Sequence, residues 1–225
     1  MMKTFKLSII VIFSSFIFGC TTTQAPSYNY TEFRQSDPLS ILVLPPINKT
    51  TEVVAPYSIM AQVIAPISES GFYTLPVALV EQTFRNNGLT VANDIHALPK
   101  EKLREIFGAD AALYLDIREY GTSYVIISSD TVVSVSATLV DLQTGAVIWQ
   151  KAASASSAET RSNQNSGGLI GMLVIAAINQ IAETVTDAGF NIAAIASNRL
   201  LSKNSVDGLL AGPRAREYVA PLAEK

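Results

Sequence analysis

The distribution of apolar and polar positions along the first half of the chain predicts short strands that alternate with helices. Residues 41–44, Ile-Leu-Val-Leu, form a continuous apolar run that ends at two prolines, a pattern typical of a buried central strand. Residues 57–69 carry apolar side chains at helical spacing and predict a helix. A second short strand is predicted at residues 72–75, followed by two helices that begin at Pro76 and Pro99.

The middle of the chain is dominated by strands. Residues 111–117 are mostly apolar and predict a strand. Residues 131–142 alternate between apolar and small polar side chains, which indicates a strand with one buried face. Asp-Leu-Gln-Thr-Gly at residues 141–145 predicts a hairpin turn, because glycine readily takes positive φ, and residues 146–150 form the return strand.

Helical composition returns toward the carboxyl terminus. A stretch rich in Ser, Asn and Gly at residues 154–168 predicts a loop, and residues 169–181 and 188–201 predict helices. The order of elements predicts an α/β fold in the broad sense that includes α+β. We expect a mixed sheet with a terminal antiparallel hairpin, covered by helices.

The amino-terminal residues have the composition of an export signal. Lys3 and Lys6 precede an apolar stretch at residues 7–18 that is short for a membrane span, so residues 1–19 are interpreted as a signal peptide. A glycine stands directly before Cys20, the only cysteine of the chain. This arrangement resembles the bacterial lipobox. The resemblance implies cleavage before Cys20, a thioether-linked diacylglycerol on its sulfur and acylation of the new amino terminus.

Lipidation would hold the mature protein at a bilayer without a membrane-spanning segment. Each buried methylene contributes about 0.8 kcal/mol of membrane affinity, so two or three acyl chains form a stable anchor. Thr21 follows Cys20, and the absence of Asp at that position implies the outer membrane by the sorting rule of such lipoproteins. The alternative is that Cys20 remains an ordinary thiol after an ordinary signal.

The rest of the sequence divides into three parts. Residues 20–39 are polar and aromatic without a regular period, and they predict a lipidated flexible tether. Residues 40–201 predict a single globular domain that is long enough for a hydrophobic core. Residues 202–225 contain several Gly and Pro residues and predict a poorly ordered tail.

Composition argues against several classes of function. The chain has 16 basic and 19 acidic residues, and this mildly acidic balance argues against nucleic-acid binding. A single cysteine forms no intrachain disulfide, and a single histidine without further cysteines builds no zinc site of the usual kind. We therefore expect no cofactor and no metal.

Several motifs together resemble a family of bacterial lipoproteins that was first noticed as a meningococcal vaccine-candidate antigen. They are the lipobox, the strand at residues 41–44, Gly-Phe-Tyr-Thr-Leu-Pro-Val-Ala-Leu-Val at 71–80, Phe-Gly-Ala-Asp-Ala at 107–111, and Val-Asp-Leu-Gln-Thr-Gly at 140–145 before Trp149. The resemblance implies a domain similar to the amino-terminal domain of TolB. It also implies a gene beside that of a lipoprotein similar to the curli secretion channel subunit, and no catalytic residues.

Few residues of the chain are candidates for catalysis or ligand binding. Asp141, Thr144 and Gly145 invite interpretation as a ligand site, but Asp and Thr commonly cap turns of this kind and Gly supplies the backbone angle. His96 is the only histidine, beside Asp94 in a turn-like stretch, and is interpreted as incidental. The sequence contains no Gly-x-Ser-x-Gly nucleophile motif. We therefore predict no catalytic site.

Residues 169–178 are almost entirely apolar, and at this length they are too short to span a membrane as a helix. One interpretation is a helix buried in the core, because a helix that is apolar all round is usually buried. The sharper hypothesis is an exposed face that binds a partner or another subunit. Its candidate residues are Leu169, Ile170, Leu173 and Val174.

These observations give three hypotheses of function. The first is a non-enzymatic outer-membrane lipoprotein that faces the periplasm and acts as an accessory or assembly factor for an envelope or secretion complex. Its expected partners are the membrane, through the lipid anchor, a curli-channel-like lipoprotein, and further copies of itself. The second is a subunit of an oligomeric export channel. The third is an envelope hydrolase, for which the sequence supplies no nucleophile–base pair.

Overall fold

The computed structural model describes residues 28–125, 128–159 and 188–220. The predicted signal peptide, Cys20 and the predicted helix at residues 169–181 lie outside the described residues.

The first half of the described chain consists of short strands and helices. In chain order they are α1 (Thr31–Ser36), β1 (Ser40–Val43), β2 (Ile47–Asn48), α2 (Ala55–Glu69), β3 (Tyr73–Thr74) and α3 (Val77–Asn86). The second half holds the longer strands. It consists of α4 (Ala92–His96), α5 (Lys100–Phe107), β4 (Ala111–Val125), β5 (Ser128–Asp141), β6 (Val147–Ser156) and α6 (Ala188–Leu201).

The described strands form one mixed six-stranded sheet in the order β3-β1-β4-β5-β6, with β2 also paired to β4. Strand β1 runs parallel to β3 and β4, and β2 runs parallel to β4 farther along that strand. Strands β4, β5 and β6 are joined antiparallel. This arrangement, with helices packed on the sheet, confirms the predicted fold class.

Residues 41–44, the apolar part of β1 and the residue after it, form a continuous apolar run because both faces of the sheet are covered here. Ile41 and Val43 belong to one hydrophobic core, and Leu42 and Leu44 belong to a second core on the other side of the sheet. All four side chains are fully buried. Successive side chains of a strand point to opposite faces, so an apolar residue is needed at every position.

Helices α2 and α6 cover the larger core. Ile59, Val63 and Ile67 of α2 recur at helical spacing, and they pack with Ala196 and Leu200 of α6 against the sheet. Pro66 lies inside α2, yet the helix continues to Glu69. This core contains the buried side chain of Trp149.

Helices α3, α4 and α5 cover the second core, but only over β1 and the beginning of β4. Val80, Phe84, Ile95 and Leu103 supply its helical side. Farther along β4 and β5, this side of the sheet carries cross-strand pairs of polar or small residues, including Asp116 opposite Ser136. Helices α3, α4 and α5 therefore cover only part of this face of the sheet.

The predicted hairpin turn is held by Asp141. Its carboxylate accepts hydrogen bonds from the backbone N–H groups of Gln143 and Thr144, both at 2.7 Å, and from the Ser36 hydroxyl at 2.5 Å. Burial raises the pKa of Asp141, but these hydrogen bonds outweigh it and hold the pKa below its usual range. Gly145 has φ of 75°. The motif therefore closes a turn, as its composition predicted.

Both ends of the described chain differ from the predictions. The tether was predicted to run through residue 39, but α1 begins at Thr31 and Phe33 is buried beside the core. The predicted tail from residue 202 instead packs on the domain, with Leu209 buried. Aromatic and leucine side chains spaced too irregularly to form a period still bury apolar area once the domain offers a surface.

Strands β4 and β6 are longer than predicted. Strand β4 continues to Val125 and β6 to Ser156, into the stretch predicted as a loop from residue 154. The short elements β2 and α4 were missed, because two and five residues carry too little periodicity. No helix of the described ranges is both long enough and apolar enough to cross a membrane.

Candidate functional site

An open cavity of about 810 Å³ lies between helices α2, α3 and α4 and the chain that follows β1. We call it the apolar groove. Most of its lining residues are apolar or aromatic, and three of them are prolines. They include Pro45, Pro46, Ile47, Val53, Pro56, Tyr57, Met60, Ala61, Val77, Ala78, Phe84, Leu89, Val91 and Ile95.

Local sequence places these residues at the groove. Pro45 and Pro46 end β1, since proline cannot continue a ladder of backbone hydrogen bonds. Pro56 lies in the first turn of α2, where its missing N–H costs nothing. Tyr57, Met60 and Ala61 then lie at helical spacing on the side of α2 that faces the groove.

The rim of the groove leaves large apolar side chains in solvent. Val53 is 79% exposed, Tyr57 61% and Val91 51%. Large apolar residues gathered at a concave surface are typical of interaction sites. The groove is therefore the described surface with the composition of a docking site.

Charge at the groove is almost absent. Among its lining residues the charged ones are Glu81 and Arg85, which form an ion pair at 2.5 Å one turn apart on α3. Both side chains are substantially exposed, so the pair contributes little to stability. Because these two charges are paired with each other, the groove suits an occupant without charged side chains.

His96 lies behind the proline wall of the groove. Its Nε2–H donates to the carbonyl oxygen of Pro45 at 2.9 Å, and its ring contacts Tyr114 edge-on with centroids 5.1 Å apart. Asp116 is the nearby carboxylate, and Lys49 lies 3.4 Å from its Oδ2. Burial lowers the pKa of His96 below 6.5 and outweighs the hydrogen bond to Pro45 and the charge of Asp116, which both raise it.

The stability of the protein should fall as the pH drops below neutral, because of His96. Its folded-state pKa is depressed, so between its ordinary value of 6.5 and that lower value the unfolded state binds the proton more readily. His96→Gln, which retains an N–H donor for Pro45, should flatten this dependence. Urea denaturation between about pH 7 and pH 5.5 measures it. An unchanged slope in the variant would contradict the assignment, since His96 is the only histidine.

Two buried polar atoms lie in the same region. In the part of the chain that the structure describes, Tyr114 Oη and Asp116 Oδ1 have no hydrogen-bond partner. The described residues contain no group of three or more His, Cys, Asp or Glu side chains that could hold a metal ion.

The sequence-predicted site residues do not meet in the described structure. Cys20, Leu169, Ile170, Leu173 and Val174 lie outside the described residues, so their roles stay predictions. His96 faces Pro45 of the groove wall, and Asp141 serves the turn. The groove itself was missed. Its available signal was the cluster of prolines and exposed apolar residues at positions 45–57.

Comparison with known proteins identifies the family. Residues 28–214 match the family model described as "Putative lipoprotein GNA1162-like". The chain is 48% identical over 196 residues to "Putative lipoprotein NMB1124/NMB1162" of Neisseria meningitidis serogroup B strain MC58, a match that covers 87% of this chain and 90% of that protein.

A solved structure supports the same family assignment. The crystal structure of lipoprotein GNA1162 from Neisseria meningitidis is 47% identical, with a TM-score of 0.53, and the match covers 65% of this chain and all of that one. The family resemblance seen in the sequence is confirmed, whereas the likeness to TolB and the neighbouring curli-channel-like gene stay predictions. The chain belongs to the GNA1162-like family of lipoproteins.

Proposed function

We propose that the protein is a non-enzymatic accessory factor, anchored through Cys20 to the periplasmic face of the outer membrane, that docks a partner protein in the apolar groove. The observation that carries this proposal is the groove itself, a mostly apolar concavity whose charged lining residues pair with each other and whose rim exposes Tyr57 and Val91. Removing such apolar surface from water favours association, and the part that exceeds the cost of ordering the two partners appears as affinity.

The groove favours a helix over an extended peptide as its occupant. An extended peptide needs backbone partners for its own N–H and C=O groups. Pro45, Pro46 and Pro56 on the groove walls have no N–H to offer such a peptide. A helix satisfies its backbone internally and presents only side chains to the groove.

The anchor and the groove would act together. The described chain begins at Tyr28, whose hydroxyl accepts a hydrogen bond from the Gln150 backbone N–H at 2.9 Å. Only residues 21–27 then separate Cys20 from the domain, a span of roughly 25 Å at full extension. Such a short tether would hold the groove close to the bilayer. We infer that a curli-channel-like lipoprotein in the same membrane is the partner.

A pull-down from detergent-solubilised envelopes tests the proposal with a matched pair of variants. Ala61 and Ala65 are exposed one turn apart on α2, but only Ala61 lines the groove. Ala61→Glu should reduce capture of the curli-channel-like lipoprotein about tenfold or more, because it places a charge against an apolar partner face. Ala65→Glu should capture as much as the unchanged protein.

A further arm tests the anchor. Cys20→Ala should weaken capture in the envelope, because the two proteins no longer share a membrane surface. Equal capture by Ala61→Glu and Ala65→Glu would exclude the groove as the docking site. Absence of the curli-channel-like lipoprotein from every sample would exclude that partner.

A further inference from the structure

We propose that the end of the domain at which β1, β3 and β4 begin rests on the bilayer surface, with four apolar side chains inserted among the lipid head groups. Leu39, Tyr73, Leu79 and Ile106 form this surface, which we call the basal patch. This orientation rests on the lipid anchor of the proposed function, but it needs no partner protein. It concerns a surface on the other side of α3 from the groove.

The four residues of the basal patch lie close together. The backbone N–H of Tyr73 donates to the carbonyl oxygen of Leu39 at 3.1 Å. Tyr73 and Leu79 line a hollow of about 280 Å³ together with Phe107, the residue after Ile106. Each of the four residues is between 44% and 60% exposed. Large apolar residues that are this exposed and this close together are typical of interaction surfaces.

The basal patch lies where several elements share one end of the sheet. Strands β1 and β3 begin side by side, with Ser40 opposite Tyr73. Strand β4 begins where Ala111 pairs with Ile41, and β5 ends opposite Ala111. Helix α5 stops just before Asp110, whose backbone N–H donates to Ser40 Oγ at 3.1 Å. We call this the basal end of the sheet.

The predicted tether joins the domain near the same end. The hydroxyl of Tyr28 accepts the Gln150 N–H three residues after β6 begins, roughly 10 Å from the basal end at the rise of a strand. Helix α1 then leads to Leu39 of the patch. Residues 21–27 span at most about 25 Å. A lipid on Cys20 therefore keeps the basal end within reach of the bilayer.

The groove lies farther from the basal end. Ile47 of its wall pairs with Asp116, five residues along β4 from Ala111, or roughly 17 Å. Leu79 and Ala78 are neighbours on α3, but only Ala78 lines the groove. A domain that stands on its basal end would therefore hold most of the groove clear of the head groups and open to a partner.

The polar groups around the basal patch are compatible with insertion. The Leu39 N–H donates to Asp110 Oδ2 at 3.1 Å and its carbonyl accepts from Tyr73, so both backbone groups of this exposed residue are paired. The Arg214 guanidinium lies over the Tyr73 ring, 5.2 Å from its centroid, where it can reach lipid phosphates. The charged side chains of α5 beside Ile106 are exposed and would remain among the head groups.

A bilayer is the occupant that the anchor itself supplies. A lipid on Cys20 makes contact between the basal patch and the membrane an intramolecular event, so the patch needs little affinity of its own. Leu, Ile and Tyr side chains suit the boundary between head groups and acyl chains, where apolar faces are buried to a depth of about 5–10 Å. The basal patch would thereby fix which way the anchored domain stands.

Quenching of tryptophan fluorescence by brominated lipids tests this orientation. The chain from Cys20 onward, which contains every described residue, is coupled through its only thiol to a maleimide lipid in vesicles of brominated phosphatidylcholine. This coupling supplies the anchor chemically, so the result does not depend on lipidation in the cell. Leu79→Trp reports on the basal patch, and Tyr57→Trp is the matched control, since the two residues are 60% and 61% exposed. Trp149 is fully buried and gives the same background in both proteins.

Leu79→Trp should be quenched about threefold more strongly than Tyr57→Trp, because only the basal patch enters the bilayer interface. Adding Ile106→Ser should reduce the quenching of Leu79→Trp. Adding Val54→Ser should leave it unchanged, since Val54 is 48% exposed, close to the 49% of Ile106, but lies outside the patch.

Equal quenching of the two tryptophans, or no quenching of Leu79→Trp, would overturn the orientation. A Leu79→Trp spectrum that shifts to the blue with rising protein concentration, without vesicles, would assign the patch to contact between copies of the chain and overturn it as well. Because no partner protein is present, these outcomes are independent of the envelope pull-down.

Discussion

Trp149→Ala should lower the free energy of unfolding by about 4 kcal/mol. The indole is fully buried in the larger core, so its removal loses apolar burial and leaves a cavity. Its Nε1–H also donates to the backbone oxygen of Asp207 at 3.1 Å. The variant therefore loses one of the hydrogen bonds between the sheet and residues 202–220, in addition to core packing.

Urea denaturation followed by far-ultraviolet circular dichroism measures this loss, because the variant lacks the only tryptophan of the chain. Val147→Ala is the control: it lies two residues earlier on the same strand, with its side chain 50% exposed. Its cost should stay below about 1 kcal/mol. Similar losses for the two variants would contradict the placement of Trp149 in the core.

Gly71→Ala should cost about 3 kcal/mol, the sum of an unfavourable backbone angle and a backbone clash. Gly71 has φ of 97°, a region that residues with a side chain rarely adopt. An added Cβ would lie 2.5 Å from the backbone nitrogen of Ala215 and 2.9 Å from the Gly212 carbonyl oxygen. These are backbone atoms of the carboxyl-terminal segment, so relief requires that segment to move.

Gly88→Ala separates the two causes. Gly88 has φ of 77°, but no atom lies within 4 Å of the position of an added Cβ. In this variant only the unfavourable backbone angle should lower the free energy of unfolding, by about 1 kcal/mol. Thermal unfolding of both variants measures the difference. A Gly71→Ala protein as stable as Gly88→Ala would mean that residues 212–215 do not pack on Gly71.

Much of the fold could be predicted from local pattern. The predicted helix at residues 188–201 agrees with α6 at its carboxyl end, Leu201, because its apolar spacing is regular over several turns. Strand β1 was predicted because burial on both faces demands a continuous apolar run. The turn after β5 was predicted because Asp commonly accepts hydrogen bonds from the backbone of a turn and Gly readily takes positive φ, as Asp141 and Gly145 do here.

The remainder depends on contacts between distant parts of the chain. Phe33 of α1 lies with its ring centroid 6.0 Å from that of Phe72, and Gly212 donates its N–H to the Ser70 carbonyl. Neither neighbourhood leaves a period in the sequence. The groove is of the same kind, because α2, α3, α4 and the prolines after β1 create it only when they meet.

We propose that the apolar groove receives a partner protein in the envelope. Photo-crosslinking in living cells tests it directly, with a benzoylphenylalanine residue in place of Tyr57 at the groove or of Tyr73 on β3. Both tyrosines are exposed, at 61% and 44%, but only Tyr57 lines the groove. We expect an adduct with the curli-channel-like lipoprotein from position 57 and little from position 73. Equal adducts from both positions, or an adduct from position 73 alone, would contradict it.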